Sequence, residues 1–338
     1  MTGINTADVA LLTERRYAAS TASEQDWYLG NILLEDQLLA TALNQLGLTT
    51  TRVDWSRADV DWSSFRCAVF RSTWDYFERH GEFVAWLDRV SEQTALCNPV
   101  SLVRWNLDKH YLSELQARSI PTVPSRYLAR GCGMTLREAL EETGWAEAVI
   151  KPCVSASGRG TYRCDAGSAE ALQPVVTELL ANESLMIQPF QDGILTWGED
   201  SLIVLGGRYT HAVRKRSQPG EFRVQDDHGG TVESCRPTTA QVELAERAIA
   251  ACPARPAYAR VDMVRDLAGH WWIMELELIE PELFLRFHPS AAAALAQAIA
   301  SSLGMGASLS DRSTGSPERP LRDDHRRLTL GESPRADA

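Results

Sequence analysis

With 338 residues, 44% of them hydrophobic, the chain is long enough for two or three domains with substantial cores. Its formal charge of −11 sets it apart from nucleic-acid binders, which need a concentrated basic face. No apolar run reaches the roughly 18 residues that a membrane span requires, so neither nucleic acid nor membrane is an expected partner.

The opening stretch MTGINTADVALLTERR lacks a signal-peptide pattern, because its apolar run is short and charges follow at once. The seven cysteines (Cys67, Cys97, Cys132, Cys153, Cys164, Cys235 and Cys252) form no CxxC pair and read as reduced and structural. A soluble, cytoplasmic protein is expected. Only Lys109, Lys151 and Lys215 are lysines among the 34 basic residues. If arginine replaces lysine wherever charge alone suffices, each surviving lysine marks a place that wants a compact ammonium.

In chain order, DVALL (8–12) reads as a first strand. WYLGNILLEDQLLATALNQLG follows with helical periodicity, which places Leu34, Leu38, Leu39, Ala42, Leu43 and Leu46 on one face, with Gly47 as a stop. TTTRVDW and CAVFRSTWD (67–75) are predicted strands, and EFVAWLDRV a helix. This alternation indicates an open α/β domain ending near Pro99. A helix from about Asp108 to Arg118 and a Pro-bounded strand begin a second unit. Strands are expected over 147–151, 184–190, 201–205, 208–215, 257–264 and 271–279, with Gly206-Gly207 as a hairpin turn. The pattern of this half is α+β. SAAAALAQAIASSLG closes the ordered chain, and residues 305–338 read as a disordered polar tail.

Three constellations carry chemistry. AVIKPCVSASGRGTYR (148–163) is a buried strand ending at Lys151, then a small-residue loop with Gly158 and Gly160. The lysine precedes the glycines, so the order is wrong for a P-loop. It suits a lid whose backbone N–H groups close over phosphates while the ammonium clamps from the side, with a plain surface loop as the alternative.

The second constellation is YARVDMV (258–264) and WWIMELELIEP (271–281), two strands joined by RDLAG. Strand alternation puts Arg260 with Asp262 and Glu275 with Glu277, and folding about residue 268 sets Asp262 opposite Glu275. Three carboxylates in so apolar a setting call for a cation, and oxygen-only ligands favour Mg2+. Third, Arg214, Lys215, Arg216 and Arg223 concentrate positive charge in an acidic chain, as a polyanion site would or as a blunted edge strand would.

In this order the pieces resemble the ATP-grasp superfamily, over about residues 60–300. The branch holding glutathione synthetases, ribosomal-protein glutamate ligases and the cyclo-ligase of cycloserine biosynthesis is the most similar. The resemblance implies an α/β N-terminal domain (1–103), an ATP-grasp small lobe with the lid (104–185), and a metal and substrate lobe (186–304), the two lobes clasping ATP. It implies Lys109 and Lys151 as nucleotide lysines, and Ser157, Gly158 and Gly160 as lid contacts. LMIQPFQDG would hold adenine through backbone near Gln188 and Phe190, and Glu199 would contact the ribose or nucleotide.

RVD followed by MELE looks like the family's RxD…ExN signature. Asp262, Glu275 and Glu277 would then bind two Mg2+, with Mn2+ as a substitute. Arg260 would steady the transferring phosphoryl group, with Arg223 and one or both of Lys215 and Arg216 beside it. The sequence departs from the pattern where Glu277 replaces the Asn of ExN, and where Pro189 replaces a hinge acid. Arg71, Trp74 and Asp75 in RSTWDY, at a strand end where open α/β sheets place ligand loops, are substrate-side candidates. Packing of its aromatics is the alternative there.

No HExxH, GxSxG, Cys/His or GxGxxG pattern competes with this reading. The resemblance implies an ADP-forming carboxylate–amine ligase that acts on small amino acids through an acyl phosphate, in specialised metabolism. The first reading joins two molecules, and the second closes one amino-acid derivative on itself. A non-catalytic ATP-binding protein is the rival from another class. A homodimer is among the assemblies that the resemblance allows.

Overall fold

The computed structural model describes residues 7–156, 158–224 and 229–305. The predicted tail from 306 onward lies outside the described residues. The first layer is a parallel sheet in the order β2-β1-β3-β4, built from β1 (Val9–Thr13), β2 (Thr50–Asp54), β3 (Cys67–Ser72) and β4 (Ala95–Cys97). All five residues of β1 are buried, as expected of a parallel strand covered on both faces. Helices α1 (Trp27–Gln45) and α2 (His80–Val90) belong to this layer, and Asp26 caps α1 by accepting from Leu29 N at 3.0 Å.

The face of α1 differs from the expected stripe. Leu39 and Leu43 enter the core, but Leu34 is 42% exposed. Glu35 and Asp36 turn inward instead, because Arg71 on β3 receives them at 2.8 and 3.2 Å. An apolar-stripe reading treats acids as outward-facing and is blind to a cation waiting on the neighbouring sheet.

A second sheet has the order β5-β8-β6-β7, from β5 (Arg126–Leu128), β6 (Glu147–Pro152), β7 (Tyr162–Asp165) and β8 (Leu185–Pro189). The expected break between 185 and 186 falls inside β8, which pairs with β6 from Pro189 back to Leu185. Helices α3 (Val100–Asn106) and α4 (Tyr111–Ala117) precede this sheet, where one helix from about Asp108 was expected. Two further helices, α5 (Leu136–Thr143) and α6 (Ala169–Asn182), help build its apolar core.

The central sheet is antiparallel, in the order β11-β10-β9-β12-β13. After the short helix α7 (Gly193–Trp197) come β9 (Glu199–Leu205), β10 (Arg208–Arg216), β11 (Thr231–Cys235), α8 (Thr239–Ala250), β12 (Tyr258–Arg265), β13 (Trp271–Glu277) and α9 (Ala291–Ser302). Strand alternation splits β9 between two cores. Leu202 and Val204 pack with α4 and α8, whereas Ile203 and Leu205 pack with α1, α9 and the first sheet. Gly206 and Gly207 turn the β9–β10 hairpin with φ of 58° and 82°, a region that side chains disfavour.

Buried polar groups tie the first layer to the central sheet. Asn98 donates from Nδ2 to Tyr258 O and Leu278 O at 2.9 and 2.7 Å, and its Oδ1 accepts from Ala257 N at 2.7 Å. Glu35 accepts from Leu283 N and Leu285 N. His211 on β10 donates from Nε2 to Leu283 O at 2.8 Å, and burial pushes its pKa down from 6.5 to about 4.

Two predictions follow from these ties. Asn98→Ala leaves three buried backbone groups unpaired and is expected to cost about 3 kcal/mol or more, read as a lower urea midpoint at unchanged m-value. Between pH 6.5 and about 4 the unfolded chain binds the His211 proton and the folded chain does not. Stability therefore falls as pH drops through that window. Denaturation of His211→Gln should show a shallower pH dependence there; an unchanged slope would remove His211 as its source.

Candidate active site

The site is built on one face of the central sheet and roofed by the β6 hairpin. The β12–β13 register pairs Asp262 with Glu275 and Arg260 with Glu277, after a one-residue shift between Asp262 and Met263. Asp262 also lies opposite Ser201 of β9, whose hydroxyl donates to it at 2.6 Å. Lys215 on β10 pairs with Glu199 on β9. Its ammonium lies 2.5 Å from Glu199 and 3.3 Å from Asp262. Arg260 binds both Asp262, at 3.0 Å, and Glu277. From the other lobe, Lys109 reaches Glu275 at 3.1 Å and Lys151 reaches it at 3.9 Å. Four carboxylates therefore meet four cations in one place, and all three lysines of the chain line the same cavity.

Burial sets the protonation of this array. It pushes Glu277 up to about 7, against the pull of Arg260. It also raises Glu199 despite Lys215. Burial alone would raise Asp262 and Glu275 as well, but Arg260 with Lys215, and Lys109 with Lys151, hold each below its ordinary value. Lys151 is lowered by burial, whereas Lys215 is raised because Asp262 and Glu199 outweigh its burial.

Glu275 and Glu277 open onto the cavity. Asp262 is 3% exposed and lies beneath Arg260, Lys215 and Ser201. The donors are all oxygen, which suits a hard divalent cation. The raised Glu277 is a half-buried carboxyl that an adjacent positive charge would return to its ionised form.

One end of the cavity is apolar, with Val149, Phe190, Ile194, Phe222 and Met274 in its wall. Gln188 lines it too, with its side-chain amide donating to Ser125 Oγ at 3.0 Å. The Phe190 N–H already donates to Glu147 O at 3.0 Å, so that residue has its carbonyl and ring to offer a ligand. The loop after Lys151 contributes Ser155, Ala156, Gly158 and Thr161 to the wall, and Ser157 lies outside the described residues. Gly158 and Gly160 have φ of 68° and 64°. Lys109 Nζ also donates to Ser155 O at 2.6 Å, which ties the loop base to the lysine. Gly198, at φ 79°, permits close approach to β10, since a Cβ there would lie 2.3 Å from Lys215 O.

Other expected residues separate. Lys215 faces the cavity while Arg216, the next residue on the strand, turns outward to Glu233 at 3.3 Å. Arg223 lines the cavity and bonds Glu221. Trp74 lines it too, but Arg71 and Asp75 are absent from its wall. Arg71 is 4% exposed between Glu35 and Asp36, beside a small adjoining cleft. Asp75 accepts from Trp55 Nε1 at 2.7 Å and Arg79 at 2.9 Å, inside the first layer. Sequence reasoning missed Tyr28, Tyr76, Glu280 and Glu282, all in the wall. Glu280 and Glu282 carried a signal, as acids inside the apolar run LELIEPELF.

Residues 9–98 match the family model for the N-terminal domain of D-cycloserine synthetase DcsG. A cycloserine biosynthesis protein DcsG from Streptomyces lavendulae is 35% identical over 280 residues, which cover 78% of this chain and 92% of that protein. The crystal structure of D-cycloserine synthetase DcsG superposes with a TM-score of 0.75 at 32% identity, over 87% of this chain and 99% of the other. The ATP-grasp ligase PsnB, complexed with a minimal precursor, Mg and ADP, shares the fold with a TM-score of 0.57 at 15% identity, over 89% and 100%. The chain belongs to the ATP-grasp ligases, enzymes that form C–N bonds at the expense of ATP. Within them it falls on the branch of D-cycloserine synthetase.

Glu275→Gln removes the partner shared by Lys109 and Lys151. Turnover of ATP is expected to drop at least about tenfold, or about 1.4 kcal/mol. Near-normal turnover would remove Glu275 from the reacting centre.

Proposed function

We propose that this enzyme closes an amino-acid derivative on itself, forming the C–N bond of a ring and releasing ADP and phosphate. The carrying observation is that likeness above 30% identity to cycloserine proteins spans both the ATP-binding lobes and the N-terminal layer that walls the far end of the cavity. Ring closure is preferred over joining two molecules for that reason.

In this reading the apolar end takes adenine, Lys109 and Lys151 hold the phosphates, and the Gly158 loop closes over them. Glu275, Glu277 and Asp262 would hold Mg2+, one or two ions, with Mn2+ able to substitute. Bound Mg2+ supplies charge neutralisation on the phosphate oxygens. Arg260 exchanges Asp262 for the transferring phosphoryl group, which frees that carboxylate, while Lys215 and Arg223 flank the same oxygens. The substrate carboxylate attacks the γ-phosphorus and ADP leaves. An internal nitrogen then attacks the acyl carbon, phosphate leaves, and the nitrogen loses its proton. Positioning and electrostatics would supply most of the acceleration.

A screen for ADP release, with candidate amino-acid derivatives offered singly and in pairs, tests this. One compound alone should sustain turnover and yield a cyclic amide by mass spectrometry. An absolute need for two compounds would replace ring closure by intermolecular ligation. Release of AMP would rule out the acyl phosphate.

A further inference from the structure

The far end of the cavity is walled by Tyr28, Trp74 and Tyr76 from the first layer and by Glu280, Glu282 and Phe284 from the segment after β13. Trp74 Nε1 donates to the Glu280 carbonyl at 2.9 Å, so the first layer holds this segment in place. Glu280 is 6% exposed, yet its carboxyl has no ion-pair partner among the described residues. The neighbouring cations are committed elsewhere. Lys109 holds Glu275, Arg260 holds Asp262 and Glu277, and Arg286 holds Glu282.

A carboxyl buried in a cavity wall without a counter-charge is costly, and a cationic ligand relieves that cost. Aromatic side chains in the same wall suit an organic ammonium better than a hydrated metal ion. The cavity's three lysines favour anions, whereas Arg260 reaches this segment itself, at Glu282 O (3.4 Å), and is held there by Asp262 and Glu277. The lining thus carries two kinds of group, lysines that suit phosphate and an unpaired carboxyl that suits a cation.

We infer that Glu280, with the Tyr28–Trp74–Tyr76 wall, forms the subsite for a substrate ammonium group that the reaction leaves untouched. The inference rests on the ring-closing reading. In a cycloserine-like product the ring nitrogen forms the new bond, and the amino group next to the ring carbonyl stays free. Anchoring that amino group fixes the adjacent carboxyl toward the phosphoryl end, so the subsite selects α-amino acids and orients them.

The test titrates D-cycloserine, and the same ring lacking its amino group (1,2-oxazolidin-3-one), into the full chain saturated with MgADP. A second pair, D-serine against D-glycerate, is titrated in the same way. The native protein should prefer the amine-bearing member of at least one pair by about tenfold or more, a difference of about 1.4 kcal/mol. Glu280→Gln should bring both members to similar affinity while MgADP affinity stays unchanged, and Glu280→Asp should restore part of the preference. Amine preference for serine, lost in Glu280→Gln, without binding of either ring keeps the subsite and overturns ring closure. No amine preference in either pair, or a preference that survives Glu280→Gln, overturns the subsite. An altered Mg2+ requirement with unchanged amine preference also overturns it and moves Glu280 to the metal site. Loss of MgADP binding in Glu280→Gln, with Glu280→Asp retaining full amine preference and MgADP affinity, assigns Glu280 a structural role instead.

Discussion

The shared pairing of buried charges on the face of the central sheet is what the rest of the molecule is arranged around. Glu199, Lys215, Asp262, Arg260 and Glu277 form a chain of alternating sign, and Lys109 and Lys151 converge on Glu275. None of these groups can be stripped of its partner cheaply, because an isolated buried charge costs several kcal/mol or changes protonation. Most of them have two partners, which makes the array exchangeable. A polyphosphate or a divalent cation entering here would trade one partner for another without exposing an unpaired charge. Lysine suits the places where an ammonium must serve two carboxylates or a carboxylate and a carbonyl, and Arg260 suits the place where a planar fork spans two acids.

Holding such an array in register requires a stiff frame, and the first layer supplies much of it. The Tyr258 hydroxyl lies 3.1, 2.9 and 2.8 Å from the carbonyls of Phe70, Cys97 and Ile279, next to the β12 strand that carries Arg260 and Asp262. Asn98 joins Tyr258, the first residue of β12, to Leu278, just past β13. Glu35 and His211 hold the segment around residues 283–285, and Trp74 holds residue 280. The segment that walls the far end of the cavity thus continues directly from the strand that carries Glu275 and Glu277. Movement of the first layer would be felt at both ends.

The hairpin of β12 and β13 was legible because its pairing is local. A short turn brings Asp262 to within a residue of Glu275, and an irregularity between Asp262 and Met263 shifts the register by one to set them opposite. The three lysines stood out because arginine does the routine charge work elsewhere in the chain. The choice between Lys215 and Arg216 was open in one dimension and closed once β10 had a face, since adjacent strand residues point opposite ways. RSTWDY divides, with Trp74 in the cavity wall and its charges elsewhere. Its charges sit at a strand end where ligand loops are common, yet Arg71 is taken up by Glu35 and Asp36 from a helix 35 residues earlier, and Asp75 by Trp55 and Arg79. The short helices α3 and α7 escaped notice because their periodicity lasts under two turns.

By itself the sequence determined the chemistry on offer: an acidic hairpin, a lysine ahead of a glycine loop, and a basic strand, in an order shared with ATP-grasp ligases. Those are properties of residues within a few positions of one another, where backbone geometry is nearly compulsory. Only the tertiary structure decided which charges meet, that Glu280 lies buried without an ion-pair partner among the described residues, and that Trp74 supports it across 206 positions of chain. Pairings of that span depend on how separate layers pack, and local pattern carries no record of it.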